Sequence, residues 1–225
     1  LSYKEENKQI NVGFFSYNNH KKKFLNFKKI SSSNCWSTQQ GNMLMWDFND
    51  PNDTIIYNNY LNNQFSCEFY KISKAKITKR LNFPFYSMSP NGRYLSSLNF
   101  SILSKNRPGY GYSNKVSEGQ SSNYLFIYDL INEKKIRFID EDRLSVFIPK
   151  NFDGTVHLNH IAFSPDSKKV VFMQILKSNK KIINVFIYDI KLDKLTIIKN
   201  SFLISHYCWK NKNELILTMR DNFLR

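Results

Sequence analysis

Two sixteen-residue stretches, FYSMSPNGRYLSSLNF at 85–100 and IAFSPDSKKVVFMQIL at 161–176, follow one plan. Each is an apolar run, a Ser-Pro-Asn/Asp turn, a basic residue and a second apolar run. Proline fixes φ in the turn and cannot donate a sheet hydrogen bond, while Asn91 or Asp166 can bond its local backbone. The plan recurs in MLMWDFNDPNDTIIYNN (43–59) around Pro51, and without a proline in ISHYCWKNKNELILTM (204–219). After the two Ser-Pro units come LFIYDL (125–130) with KKIRFI (134–139), and VFIYDI (185–190) with KLTIIK (194–199). Both pairs read as hairpins of alternating, β-rich strands.

Four strands per unit at a spacing of about 40 residues predicts an all-β chain built as a β-propeller of four-stranded antiparallel blades. A lone blade leaves both of its apolar faces open, and stacking around an axis buries them. The reading places a half blade at 10–30, blades at 38–80, 84–140 and 157–200, and a second half blade at 204–220, all in one propeller domain spanning 1–225. About four blades is the expectation of a fragment of a six- or seven-bladed ring. A closed ring of four, completed by its terminal halves, is the alternative.

No segment approaches the roughly 18 apolar residues of a membrane span. Cys35, Cys67 and Cys208 form no close pair or CxxC spacing, which excludes a disulfide framework or a cysteine zinc site and points to buried thiols in a cytoplasmic protein. The chain begins at Leu1 rather than a methionine, so this reading leaves secretion open. Thirty-three Lys+Arg face 18 Asp+Glu, a formal charge of +15 that attracts polyanions. The cations are spread through turns, where lysine solubilises and guards strand edges, so the reading ranks nucleic acid behind other partners. There is no GxSxG elbow, HExxH, P-loop or paired-carboxylate constellation.

Between 104 and 114 the chain reads SKNRPGYGYSN. It leads into more loop rather than a helix N-terminus, which argues against a phosphate cradle. Gly109 and Gly111 permit positive φ and can fold the insertion back over the propeller. Arg107, Tyr110 and Tyr112 suit sugar stacking or a carboxylate clamp, and the alternative is a lid whose tyrosines cap the channel. His157, Asn159, His160 and His206 fall on the first strands of adjacent blades, where a propeller brings side chains towards its axis. They would join Arg107 and the tyrosines in one surface, and a neutral imidazole there can take a proton α to a sugar carboxylate. Gln39, Gln40 and Trp46 in TQQGNMLMW (38–46) sit where an inner strand begins, and a core role is the expectation for Trp46.

The unit FSPDSKKVVF…NVFIYDIKLDKLTII resembles the WD-like repeat of the Tol-type bacterial propellers. More narrowly, TQQGNMLMW, YSMSPNGRYLSSLNFSIL, RPGYGY, HLNHIAFSPD and SHYCW resemble a group of uncharacterised bacterial propellers. That group is distantly similar to oligogalacturonate lyase. The resemblance implies His160 as the catalytic base and His206 as one ligand of a divalent metal, Mn or Zn. The position of that family's catalytic arginine falls near Tyr124. Two activities follow as expectations: a propeller that binds an acidic glycan or oligosaccharide at its axial cleft, or a metal-dependent oligosaccharide lyase. An interaction scaffold or polyanion binder comes third.

Overall fold

The computed structural model describes residues 8–113, 115, 122–198 and 202–221. The expected end of the third blade at 199–200, and the insertion beyond Ser113 apart from Lys115 and Ser122, lie outside the described residues.

The chain opens with β1 (Ile10–Phe14), β2 (Tyr17–Asn18), β3 (Lys23–Phe24) and β4 (Lys28–Ser33). A first run of four strands follows: β5 (Met45–Trp46), β6 (Thr54–Leu61), β7 (Gln64–Lys71) and β8 (Lys76–Leu81). The second run is β9 (Ser87–Met88), β10 (Tyr94–Leu98), β11 (Leu125–Asp129) and β12 (Lys134–Ile139), with helix α1 (Phe100–Asn106) between β10 and β11. Helix α2 (Glu141–Ser145) leads to β13 (Thr155–Phe163), β14 (Lys169–Lys177), β15 (Lys181–Asp189) and β16 (Lys194–Ile197). Last come β17 (Phe202–Asn211) and β18 (Glu214–Asp221).

Among the described residues these strands form three four-stranded sheets, each hydrogen-bonded in sequence order, and two-stranded sheets β1-β4, β2-β3 and β17-β18. Every pairing is antiparallel. The architecture is the all-β propeller plan, and a partial propeller accounts for it.

Alternation along the strands shows how the sheets stack. In β6, Ile55 and Tyr57 pack with Val12 of β1, whereas Ile56 packs with Met88, Leu95 and Phe126 of the second sheet. In β11, Phe126 joins that cluster while Leu125 and Ile127 pack with Val170 and Phe172 of β14. In β14 the intervening Val171, Met173 and Ile175 turn to Ile204 of β17. Each four-stranded sheet therefore buries both faces against its two neighbours, as period-2 patterning requires.

The Ser-Pro turns are built identically. Ser89 Oγ accepts the Tyr94 N–H at 2.8 Å and donates to Asn91 Oδ1, which also accepts the Arg93 N–H. Ser164 Oγ does the same with the Lys169 N–H at 2.9 Å and Asp166 Oδ1. Asp129 and Asp189 close the hairpins that follow: each carboxylate accepts two backbone N–H groups of its turn. These turns gather at one end of the strands. The opposite end carries α1 and the β14–β15 turn.

Candidate functional site

The inner edge of the stack is a hydrogen-bonded junction. Tyr86 Oη donates to Asn159 Oδ1 at 2.7 Å and accepts from Gln40 Nε2 at 2.7 Å. It also accepts the His160 N–H at 2.9 Å. From the next sheet, the Tyr207 hydroxyl donates to the His160 carbonyl. His160 itself sits in a register break of β13, between Asn159 and Ala162, with φ +58°. A left-handed, non-glycine residue inside a strand is strained, and such a conformation persists where the surroundings hold it from several sides. Here Asn159, Tyr86 and Tyr207 all grip its backbone.

That bulge aims the His160 ring out of the sheet. It stacks on Tyr110 with centroids 6.2 Å apart and meets His206 edge-on at 5.7 Å. Arg107 lies over the Tyr110 ring: its guanidinium is 4.0 Å from the Tyr110 centroid, and Nη2 donates to Tyr110 Oη at 3.2 Å. Arg107 is placed by α1. Asn99 caps that helix by accepting from the Ser101 and Ile102 N–H groups, and Arg107 ends it before Pro108. Asn106 Nδ2 then ties the helix to the Val156 carbonyl of β13 at 2.9 Å.

Behind Arg107 a cleft of about 210 Å³ is lined by Asn106, Arg107, Pro108, His157, Ile175, Lys177 and Lys181. Three cations converge here, and among the described residues no carboxylate lines the wall. Among the described residues none of the three is in an ion pair. Burial, then the Arg107 and Lys177 charges, lowers the pKa of the Lys181 ammonium. His157 is 2% exposed and neither ring nitrogen has a hydrogen-bond partner. Burial first, and then Arg107 and the two lysines, pushes its pKa down to about 4. His160 is also brought down to about 4, by burial, Arg107 and His206 in that order, and its Nδ1 is buried without a partner.

Arg107, Tyr110, His160 and His206 therefore form one group, with His157 in the adjoining cleft. Two of the expected site residues do not face the cleft. Tyr112 is not at the surface: Gly111, at φ +66°, reverses the chain and sends the ring inward. There it stacks on Phe100 at 4.5 Å and accepts from Asn58 Nδ2 at 2.7 Å. Asn159 is fully buried, and its oxygen is spent on Tyr86 and the His160 N–H. Trp46 is half-exposed rather than core, whereas Gln40 does reach the junction. Lys177 and Lys181 were missed because they read as strand-end solubilising residues. Only their place on the two sides of the β14–β15 turn, facing the preceding insertion, could have signalled them.

A divalent metal finds an incomplete site here. His160 and His206 supply two imidazoles, and His206 Nδ1 is engaged with Ser205 Oγ at 2.7 Å. Among the described residues no group of three or more His, Cys, Asp or Glu side chains could hold an ion. Catalytic zinc sites use three protein ligands. No step through a metal follows from these residues. Tyr124, where the lyase arginine would fall, is buried and stacked on Phe126 and Phe138.

No family model matches the chain, and no curated protein does. Among solved structures it is similar to TolB from Acinetobacter baumannii, with 14% identity and a TM-score of 0.46 over 87% of this chain and 43% of that one. It is similar to the β-propeller domain of the Trilobed protease from Pyrococcus furiosus, with 12% identity and a TM-score of 0.44 over 96% of this chain and 65% of that one. A third is the Dos1 propeller, at 12% identity and a TM-score of 0.43, over 90% and 58% of the respective chains. The chain thus spans less than two thirds of each. No helix among the described residues is long and apolar enough to cross a membrane.

Proposed function

We propose that this protein binds an acidic oligosaccharide at the mouth formed by Arg107, Tyr110, His157, His160, Lys177, Lys181 and His206. One observation carries the reading: three cations surround a cleft that no carboxylate among the described residues lines, beside an imidazole with both nitrogens unsatisfied. An anionic ligand would relieve the repulsion among the cations and give His157 a partner. The Tyr110 ring beside them, stacked on His160 and under the Arg107 guanidinium, holds that cation at the mouth. Titration calorimetry with short uronate oligomers tests this. Arg107→Ala should weaken binding by about tenfold, the loss of one charge-assisted contact. Its melting temperature should stay near that of the parent, because Arg107 is partly exposed and ends a helix rather than filling the core. Equal affinity in the variant, or no heat with any uronate, would overturn the reading.

A lyase is the second reading, and the placement of the His160 ring at the mouth, between Tyr110 and His206, is the observation that favours it. Its imidazole would take the proton α to the uronate carboxylate while the glycosidic oxygen leaves with the electron pair. Absorbance of the unsaturated product, lost in His160→Gln, is the assay. A flat absorbance trace with every uronate would reject it.

A further inference from the structure

A second surface lies on the N-terminal hairpins, away from the cationic mouth. From residue 8 to residue 46 the chain carries Lys8, Lys21, Lys22, Lys23, Lys28 and Lys29 and no Asp or Glu. The same stretch exposes large rings: Phe15 56%, Tyr17 51%, Phe24 68% and Phe27 41%. Pairing of Tyr17 with Phe24 across β2 and β3 puts those two rings on one side, and pairs Asn18 with Lys23 on the other. Phe15 packs against Phe24 at 6.4 Å and Phe27 at 5.2 Å. Gly13 makes room for this: a Cβ there would fall 2.5 Å from the Phe27 ring. The apolar surface continues beyond Gly13 into a cleft of about 280 Å³ whose far wall holds the half-exposed Leu44 and Trp46.

Scattered exposed apolar residues are ordinary, but a contiguous aromatic patch ringed by charge of one sign marks a docking surface. Its occupant must be anionic, because there is no acidic residue in the stretch, and must also have an apolar layer to receive the rings. Single-stranded nucleic acid meets the first condition but needs ring faces free for bases. Here the rings meet one another at 51–72°, and Lys28 lies over the Phe14 face. We propose that the segment 13–29 docks the protein on an anionic phospholipid bilayer. The rings of Phe15, Tyr17 and Phe24 enter the boundary between headgroups and acyl chains, and the lysines lie among the phosphates.

Co-sedimentation of the whole protein with vesicles tests this, using phosphatidylcholine alone and phosphatidylcholine mixed with phosphatidylserine. The mixed vesicles should carry the protein down, neutral ones much less, and added salt should release it. Lys21→Gln and Lys28→Gln should each weaken binding about fivefold. Phe24→Ser should weaken it about tenfold or more, with an unchanged circular dichroism spectrum because that ring is mostly solvent-exposed. Failure to bind the mixed vesicles would overturn the proposal. So would binding indifferent to Phe24→Ser, or tighter binding of a single-stranded oligonucleotide that displaces the vesicles.

Discussion

At the scale of single residues, the mouth depends on a few backbone conformations that side chains alone do not reveal. His160 and Gly111 both lie in the left-handed region, and between them they decide which aromatic rings face the cleft. Gly111 separates Tyr110, which faces His160, from Tyr112, which is stacked on Phe100 in the core. A Cβ at Gly111 would sit 2.3 Å from the Phe100 carbonyl oxygen and 2.7 Å from the Ser104 nitrogen, so α1 would have to shift. Gly111→Ala should therefore lower stability by about 2–3 kcal/mol in denaturant titration, combining positive-φ strain with a backbone clash. A change within about 0.5 kcal/mol would show that the turn tolerates a side chain. The two glycines were legible as a reversal in RPGYGY, but the facing of the tyrosines was not. Alternation assumes extended backbone, and the left-handed residue between them breaks it.

The elements were the most legible part of the chain, because the Ser-Pro turns and Tyr-Asp hairpins fix strand register by local hydrogen bonds. Asp129 shows why the Tyr-Asp pair recurs. Burial raises its pKa, but Arg93, Asn132 and two turn N–H groups outweigh this and bring it down to about 2. Arg93 reaches it with two nitrogens, at 2.7 and 3.1 Å. Arg93→Met would strand a carboxylate that is 1% exposed, though its turn donors remain. The expected outcome is a denaturation midpoint shifted to lower denaturant, because the variant loses a charged hydrogen bond that is partly solvent-screened. An Arg93→Met protein as stable as the parent would mean that the turn donors alone suffice. What the strand pattern hid was α1. Its seven residues follow directly on β10 and include Phe100 and Leu103, apolar residues that alternation reads as a continuing strand. The cue present in sequence was Asn99, whose side chain caps the helix.

On the scale of the whole molecule, the sheets place chemistry by stacking. His157 and His206, which are 49 residues apart in sequence, and the Arg107 insertion reach one end of the axis because neighbouring sheets bury their faces on each other. The histidines could be placed from blade position and Arg107 from the RPGYGY insertion. Lys177 and Lys181 could not, since their role depends on which loop they face. The propeller plan says nothing about the ligand; the proposed binding of an acidic oligosaccharide makes a specific demand on pH. His157 is held neutral in the free protein, with a pKa near 4 against an ordinary value of about 6.5. A bound carboxylate would raise that pKa, so complex formation would take up a proton. Affinity should then rise as pH falls through the window between the bound-state pKa and 4, and level off below it. A uronate carboxylate stays ionised across most of that range. The most direct test is uronate affinity measured by calorimetry from pH 7 to pH 5 at fixed ionic strength, in the parent and in His157→Leu. The mouth described here predicts affinity that climbs several-fold in the parent and stays flat in His157→Leu. Affinity that is flat or falling in the parent, or that climbs equally in both, would contradict it.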